Sequence, residues 1–223
     1  MHPHESRITS HASRVTHHEL RLSVNVTDAA FVKSVAEWEA LPSDDVPEAV
    51  LVGRSNVGKS TLLNRLVGQG DLADPSGKPE RMRGLDVYRV ERADGGPLHL
   101  LDAPGLGYAK APEDERERWK RFIVRYLTER APLRLVLHGI DSRREFQPLD
   151  RELLQLLGGQ RVPYLAVLTK ADTLGERKEH ARAVRRAKET LLEAGLEAPV
   201  VLTSAENGDG VSEVRAWIGD LVR

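Results

Sequence analysis

Apolar and polar residues alternate along this chain in blocks that predict strands and helices by turns. The run Ala49-Val50-Leu51-Val52 is short, apolar and closed by Gly53, as a fully buried strand is. Leu62, Leu63, Leu66 and Val67 follow at helical spacing. From Gly68 to Gly84 the pattern stops. Six Gly and Pro positions (Gly68, Gly70, Pro75, Gly77, Pro79 and Gly84) mark a long loop, of the kind that is functional or disordered. Asp86 to Glu91 and Pro97 to Asp102 read as two strands around Asp94-Gly95-Gly96, and so short a turn makes them an antiparallel hairpin.

Pro112 stands at a first helical position, with Glu113, Asp114 and Glu115 at the positive dipole end. Trp119, Phe122, Ile123, Tyr126 and Leu127 then form its buried face. Leu133 to Ile140 is a strand, and Pro148 opens a helix with Leu149, Leu153, Leu156 and Leu157 inward. Pro163 to Thr169 is a strand, Glu176 to Ala194 a highly charged helix, and Pro199 to Thr203 the last strand. Val214, Trp217, Ile218, Leu221 and Val222 line a closing helix. Upstream, Leu22 to Val35 carries an edge strand and a short helix, and Pro42 and Pro47 bracket a connector. The whole predicts an α/β fold: a mostly parallel central sheet with one antiparallel strand and helices on both faces. Residues 21–223 form one domain. Residues 1–20, with His2, His4, His11, His17 and His18, read as a disordered tail, because no spacing there gathers three metal ligands.

Composition narrows the functional classes. In 223 residues, 40% are hydrophobic and 30% charged, as in water-soluble globular proteins. A net charge of −1 offers no global attraction to nucleic acid, so DNA binding is not expected and any RNA contact needs a local patch. With no cysteine, disulfides and thiolate metal sites are excluded. No run approaches a membrane span and no apolar core of a signal peptide opens the chain, so a cytoplasmic protein is expected. Nothing points to an obligate dimer.

The chemistry lies at the strand ends, where ligands of such sheets bind. Gly53 to Ser60 reads G-R-S-N-V-G-K-S between a strand and a helix, the context that makes G-x-x-x-x-G-K-[ST] a phosphate loop and the fold that of a P-loop NTPase. Its glycines let successive N–H groups face one anion, and the following helix adds its dipole. Lys59 reaches the β- and γ-phosphates, and the Ser60 hydroxyl binds Mg²⁺. Asp102-Ala103-Pro104-Gly105 ends an apolar strand. Asp102 is placed to hold Mg²⁺, as the Walker-B aspartate does, and the Gly105 N–H to approach a γ-phosphate, whose loss would free the loop behind it.

Thr169-Lys170-Ala171-Asp172 ends a later strand. The Asp172 carboxylate can accept from N1–H and the 2-amino group of guanine. Adenine has neither donor there and would leave it unpaired. The Lys170 stem can cover one face of the base. Backbone N–H groups after Thr203, at Ser204-Ala205, can face guanine O6. Expected nucleotide contacts are therefore Gly53, Arg54, Ser55, Asn56, Val57, Gly58, Lys59, Ser60 and Thr61, with Asp102 to Gly105, Thr169 to Asp172, and Thr203 to Ala205. Lys59 and Gly105 are the expected catalytic pair, and GTP or GDP with Mg²⁺ the ligands.

The order of these motifs resembles GTPases of the translation-factor class, and the wording is similar to the EngB (YihA) group. The phosphate loop carries the likeness, with Asp102-Ala103-Pro104-Gly105 followed by Gly107-Tyr108-Ala109-Lys110, and with Leu168 to Asp172. Phe31-Val32-Lys33-Ser34 and Ile140-Asp141-Ser142-Arg143 resemble that group too. The resemblance runs from about Phe31 to the C-terminus. It implies a small Mg²⁺-dependent GTP-binding protein that assists large ribosomal subunit assembly, with links to normal cell division and septation.

Two positions depart from the group. Its first switch loop usually reads Pro-Gly-Arg-Thr, the threonine closing over Mg²⁺, whereas here Pro79 is followed by Glu80, Arg81 and Met82. A thioether is a poor ligand for a hard cation. Leu106 stands where the group has tyrosine and Ras-like proteins a water-orienting glutamine. Slow intrinsic hydrolysis is expected, with a partner or a cation completing the site. Three readings compete: a GTP-controlled assembly switch, a nucleotide-dependent kinase on the same fold, and a degenerate member that barely hydrolyses. A kinase leaves Thr-Lys-Ala-Asp without a purpose, and Met82 is the only support for the last. Lys178, Arg182, Arg185 and Arg186 on one helix, and Arg116, Arg118, Lys120, Arg121 and Arg125 on another, are either an RNA footprint or solvated faces among acidic neighbours. Arg143 and Arg144, at a strand's carboxyl end, are the better candidates for a functional pair.

Overall fold

The computed structural model describes residues 24–74, 84–93, 95–105, 112–160 and 162–221. The His-rich stretch 1–20, the Pro79 to Met82 departure, Asp94, Leu106 to Lys110 and Val222 lie outside these residues. Among the described residues, seven strands alternate with five helices: β1 (Val26–Val35), β2 (Glu48–Gly53), α1 (Lys59–Val67), β3 (Leu85–Arg92), β4 (Leu98–Asp102), α2 (Glu113–Glu129), β5 (Leu133–Asp141), α3 (Pro148–Leu157), β6 (Tyr164–Thr169), α4 (Arg177–Glu193), β7 (Val200–Leu202) and α5 (Val211–Leu221). They form one sheet in the order β1-β3-β4-β2-β5-β6-β7. Only β3 runs against the other strands, pairing antiparallel with β1 and β4. The expected single antiparallel strand is therefore present.

The central strands are apolar on both faces because helices cover both. From β2, Val50 and Val52 enter the layer with Phe122, Ile123 and Leu127 of α2, Leu153 and Leu154 of α3, and Ala187 and Leu191 of α4. Ala49 and Leu51 enter the opposite layer, with Leu62, Leu63 and Leu66 of α1 and Val214, Trp217 and Ile218 of α5. Tyr126 and Leu63 have no exposure at all. Burial of each such side chain contributes roughly 1.5–3 kcal/mol. Among the described residues, no helix is long and apolar enough to cross a membrane.

Three boundaries differ from the sequence reading. The stretch Leu22 to Val35 was expected to hold a strand and a short helix, but Val26–Val35 is one ten-residue strand and a 3-10 turn comes later, at Trp38–Ala40. Val26, Thr27, Phe31, Val32 and Val35 favour extended backbone, and β3 offers a ladder along the whole length. Pro112 is the N-cap of α2, its φ/ψ of −52°/151° extended and its carbonyl accepting from Arg116 N–H at 3.1 Å. In β7 only Val200–Leu202 is strand, since Pro199 has no N–H to give and Thr203 turns into the loop that follows.

Asn64, inside α1, was not singled out by pattern. It is buried, and its amide nitrogen donates to the carbonyls of Gly70 (2.9 Å) and Ala73 (2.7 Å) while its oxygen accepts from Ala73 N–H (2.7 Å). The root of the long loop after α1 is thereby fixed to the helix that follows the phosphate loop. Asn64→Ala leaves these backbone groups unpaired and is expected to lower unfolding free energy by about 2–4 kcal/mol in urea denaturation. An unchanged midpoint would show that water replaces the amide there.

Candidate functional site

The phosphate loop, Asp102 to Gly105, Thr169 to Asp172 and Thr203 to Ala205 lie together at the carboxyl edge of the sheet. Gly53 ends β2 with φ +140°, and a Cβ there would lie 2.4 Å from the carbonyl oxygen of Gly139 in β5. Only glycine lets the loop leave the strand so close to its neighbour. Asn56 (φ +62°) and Gly58 (φ +102°) then turn the backbone through the left-handed region, and α1 begins at Lys59. The loop is held from β6: the Thr169 hydroxyl, itself buried, donates to Val57 O at 2.6 Å, with Ile140 O also within reach at 3.1 Å. Thr169 thus shapes the loop from behind.

Within the loop, Lys59 is 6% exposed and its ammonium donates to the carbonyls of Gly53 (3.3 Å) and Arg54 (3.2 Å). Burial lowers its pKa from the ordinary lysine value, and the Asp102 carboxylate opposes that shift. Asp102, ending β4, is 8% exposed, and burial raises its pKa against the pull of Lys59 and Ser60. The Ser60 hydroxyl donates to Asp102 Oδ2 at 2.6 Å. Asp102 Oδ1 is buried and has no hydrogen-bond partner among the described residues. A buried acceptor left open beside a hydroxyl and a second carboxylate oxygen is a hard-oxygen donor set, which suits Mg²⁺.

Ala103, Pro104 and Gly105 are buried where β4 runs up beside the loop, with Ala103 N–H donating to Leu51 O at 2.9 Å. Gly105 packs onto the phosphate loop itself. A Cβ on it would lie 2.3 Å from Ser55 Oγ and 2.5 Å from Ser55 Cα and N. Ser55 Oγ, like Asp102 Oδ1, is buried without a hydrogen-bond partner among the described residues.

The second half of the site joins β5, β6 and β7. Lys170 has φ +61°, and its ammonium donates to Asn56 O at 2.6 Å and lies 3.4 Å from Asp141 Oδ2. Asp172 sits in a 3-10 turn, Ala171–Thr173, with its side chain exposed and Oδ1 accepting from the Ser204 hydroxyl at 2.6 Å. The Ala171 N–H donates to Thr203 O at 3.0 Å, which fixes the loops after β6 and β7 to each other. Thr203 and Ser204 are buried, Ala205 is half-buried, and Thr61 is exposed on the outer side of α1.

The basic candidates divide. Arg143 is engaged with Asp141, while Arg144 is exposed. Arg186 points inward, donating to the carbonyls of Ser142 (2.9 Å) and Arg144 (2.8 Å). Arg125 stacks 4.1 Å over Trp38, and Arg118, Lys120 and Arg185 face carboxylates of Asp114, Glu152 and Glu189. Arg116, Arg121, Lys178 and Arg182 remain exposed. Sequence reasoning passed over Glu48, which is fully buried at the opposite edge of the sheet, accepting from Tyr126 OH (2.7 Å) and Arg130 Nε (3.0 Å). A charged residue beginning an apolar strand is its only signal.

Comparison with known proteins agrees with this geometry. Residues 48–170 match the family model for 50S ribosome-binding GTPases. The chain is 40% identical over 195 residues to the "Probable GTP-binding protein EngB" of Hyphomonas neptunium, covering 86% of this chain and 87% of that one. With the protein of the same description from a Ruegeria species it shares 38% over 192 residues, 86% and 87% of the two chains. A crystal structure of a probable GTP-binding protein engB superposes with a TM-score of 0.60 at 23% identity, over 79% of this chain and 98% of that one. Era, crystallised with MgGDPNP and a segment of 16S ribosomal RNA, gives 0.63 at 26% identity, over 80% and 57%.

Gly105→Ala places a methyl group against backbone of Ser55, which cannot rotate away. It is expected to lower stability in urea denaturation by about 1–3 kcal/mol and to speed amide exchange at Ser55. Unaltered exchange at Ser55 would show that the two segments separate freely.

Proposed function

The chain belongs to the EngB family of GTP-binding proteins and is a GTPase, and from that premise we propose that it is a slow, Mg²⁺-dependent GTP switch in assembly of the large ribosomal subunit. Its nucleotide is gripped at two places. At the phosphate end, the N–H groups of Gly53 to Ser60 and the Lys59 ammonium bind the β- and γ-phosphates. Lys59 is the group to stabilise charge that develops during γ-phosphoryl transfer to water. Ser60 and Asp102 would hold Mg²⁺, which would supply further charge neutralisation. Gly105, already against Ser55, is the backbone group placed to sense the γ-phosphate.

At the base end, Asp172 accepts from the guanine N1–H and 2-amino group, with Lys170 along one face and the Ser204-Ala205 backbone toward O6. The observation that carries the reading is that these motifs, far apart in sequence, meet at one sheet edge, linked by the Lys170 bond to Asn56 O. The ribosomal part rests on the family and on the exposed Arg116, Arg121, Lys178 and Arg182. We take the protein as a cytoplasmic monomer whose partner is the large subunit or its rRNA, and a role in septation as following from ribosome supply.

Asp172→Asn is expected to weaken GTP binding on the order of a hundredfold and to raise affinity for xanthosine triphosphate, whose 2-oxo group accepts from an amide N–H. Titration calorimetry with both nucleotides checks this, and an unchanged base preference would end the guanine assignment. Co-sedimentation with large ribosomal subunits at several salt concentrations tests the switch. More protein is expected to pellet with a non-hydrolysable GTP analogue than with GDP. Equal amounts with both would dismiss the assembly role.

A further inference from the structure

Lys170 is a long side chain that has to lie still across a nucleoside, and one carbonyl at 2.6 Å is a weak tether for a side chain that is still about one-third exposed. The structure supplies a second tether. Asp141, the last residue of β5, is 6% exposed, and its Oδ2 lies 3.4 Å from the Lys170 ammonium. That carboxylate is itself immobilised: Arg143 Nε donates to Oδ1 at 2.8 Å, Arg143 Nη2 to Oδ2 at 2.6 Å, and the Arg143 backbone N–H to Oδ1 at 3.2 Å. A bidentate arginine fixes both the plane and the charge of a carboxylate. These bonds hold the Asp141 carboxyl down to about 2, so it is charged throughout the physiological range. The turn carrying Arg143 is anchored in turn, because Arg186 of α4 donates to the carbonyls of Ser142 and Arg144.

We propose that Asp141 is a positioning residue for the nucleoside half of the site, and that the Arg143–Asp141 pair holds Lys170 against Asn56 in the conformation that covers the base. This deepens the guanine-nucleotide reading and rests on it. Asp141 touches no nucleotide; it acts through Lys170. The consequence is that residues outside the Thr-Lys-x-Asp motif set how long a guanine nucleotide stays bound. Lys170, freed from the carboxylate, regains side-chain freedom that must be lost again at every binding event.

Stopped-flow release of a fluorescent N-methylanthraniloyl-GDP, chased with unlabelled GDP, tests this in the wild type, Asp141→Asn, Lys170→Gln and the double variant. Asp141→Asn is expected to release the nucleotide about tenfold faster, and the double variant no faster than Lys170→Gln alone, because the effect passes through Lys170. Independent effects that multiply in the double variant would overturn the proposal, since a merely structural role for Asp141 gives that result. So would release from Asp141→Asn at the wild-type rate. If Asp141→Asn fails to melt cooperatively, Arg143→Gln, at a side chain 43% exposed, enters the same cycle with the same criterion. Failure of the wild type to bind the labelled GDP at all would instead sink the guanine-nucleotide reading, so the two failures are distinct.

Discussion

The site depends on one constraint: the loop Gly53 to Ser60 must hold a backbone shape that no isolated peptide would keep. Positive φ at Asn56 costs on the order of 1 kcal/mol or more in an ordinary residue. The neighbouring strands over-determine it. Gly53 lies against the Gly139 carbonyl, Val57 O is held by the Thr169 hydroxyl, and Asn56 O by the Lys170 ammonium. Each tether comes from β5, β6 or the residue just after β6. The parallel sheet is therefore the jig in which the loop is bent, and the central strands are apolar on both faces so that the jig can be rigid.

That geometry brings in an electrostatic requirement. Lys59 and Asp102 are both nearly inaccessible, so each carries a desolvation penalty, and each is the other's chief compensation. Ser60 takes one carboxylate oxygen and leaves the other without a partner. Such a half-satisfied pair of buried charges is unfavourable as mere structure, because replacing buried charges with apolar groups is often neutral or stabilising. It makes sense as a site whose missing charges arrive with a ligand. The contrast is Glu48, at the opposite edge, where Tyr126 and Arg130 satisfy the carboxylate from within the chain.

The phosphate loop was legible in sequence because its chemistry is contiguous: in G-R-S-N-V-G-K-S the spacing is the geometry. The alternation of strands and helices was legible for the same reason, as each periodicity is local. Other features escaped because their partners are remote. Glu48 meets Arg130 across 82 positions, and Lys170 meets Asn56 across 114. Nothing near Asn64 announces that its amide will fold the next loop back onto α1. Arg186 read as one cation on a charged helix, and only the turn between β5 and α3 shows it to be a strut, while Arg143, singled out with Arg144 as a functional pair, is tied to Asp141 within the chain. The error at β1 has a similar origin, since the length of an edge strand is set by the strand that pairs with it.

The two carboxylates of the proposed nucleotide site differ in a way that bears on selectivity. Asp102 is buried before any nucleotide arrives, so its cost is already part of the folded state. Asp172 is exposed, and its Oδ1 accepts from the Ser204 hydroxyl. Water can satisfy it, so it adds no strain to the empty protein. On the proposed reading, desolvation would fall on it only when a base covered it, and the two donors of guanine would then offset the loss while adenine would offer none. On that reading affinity would come from parts that are fixed in advance, the loop, Lys59 and the tethered Lys170, and discrimination from the part left open to solvent. An Asp172 buried and bonded as fully as Glu48 would have no acceptor left with which to tell one purine from the other.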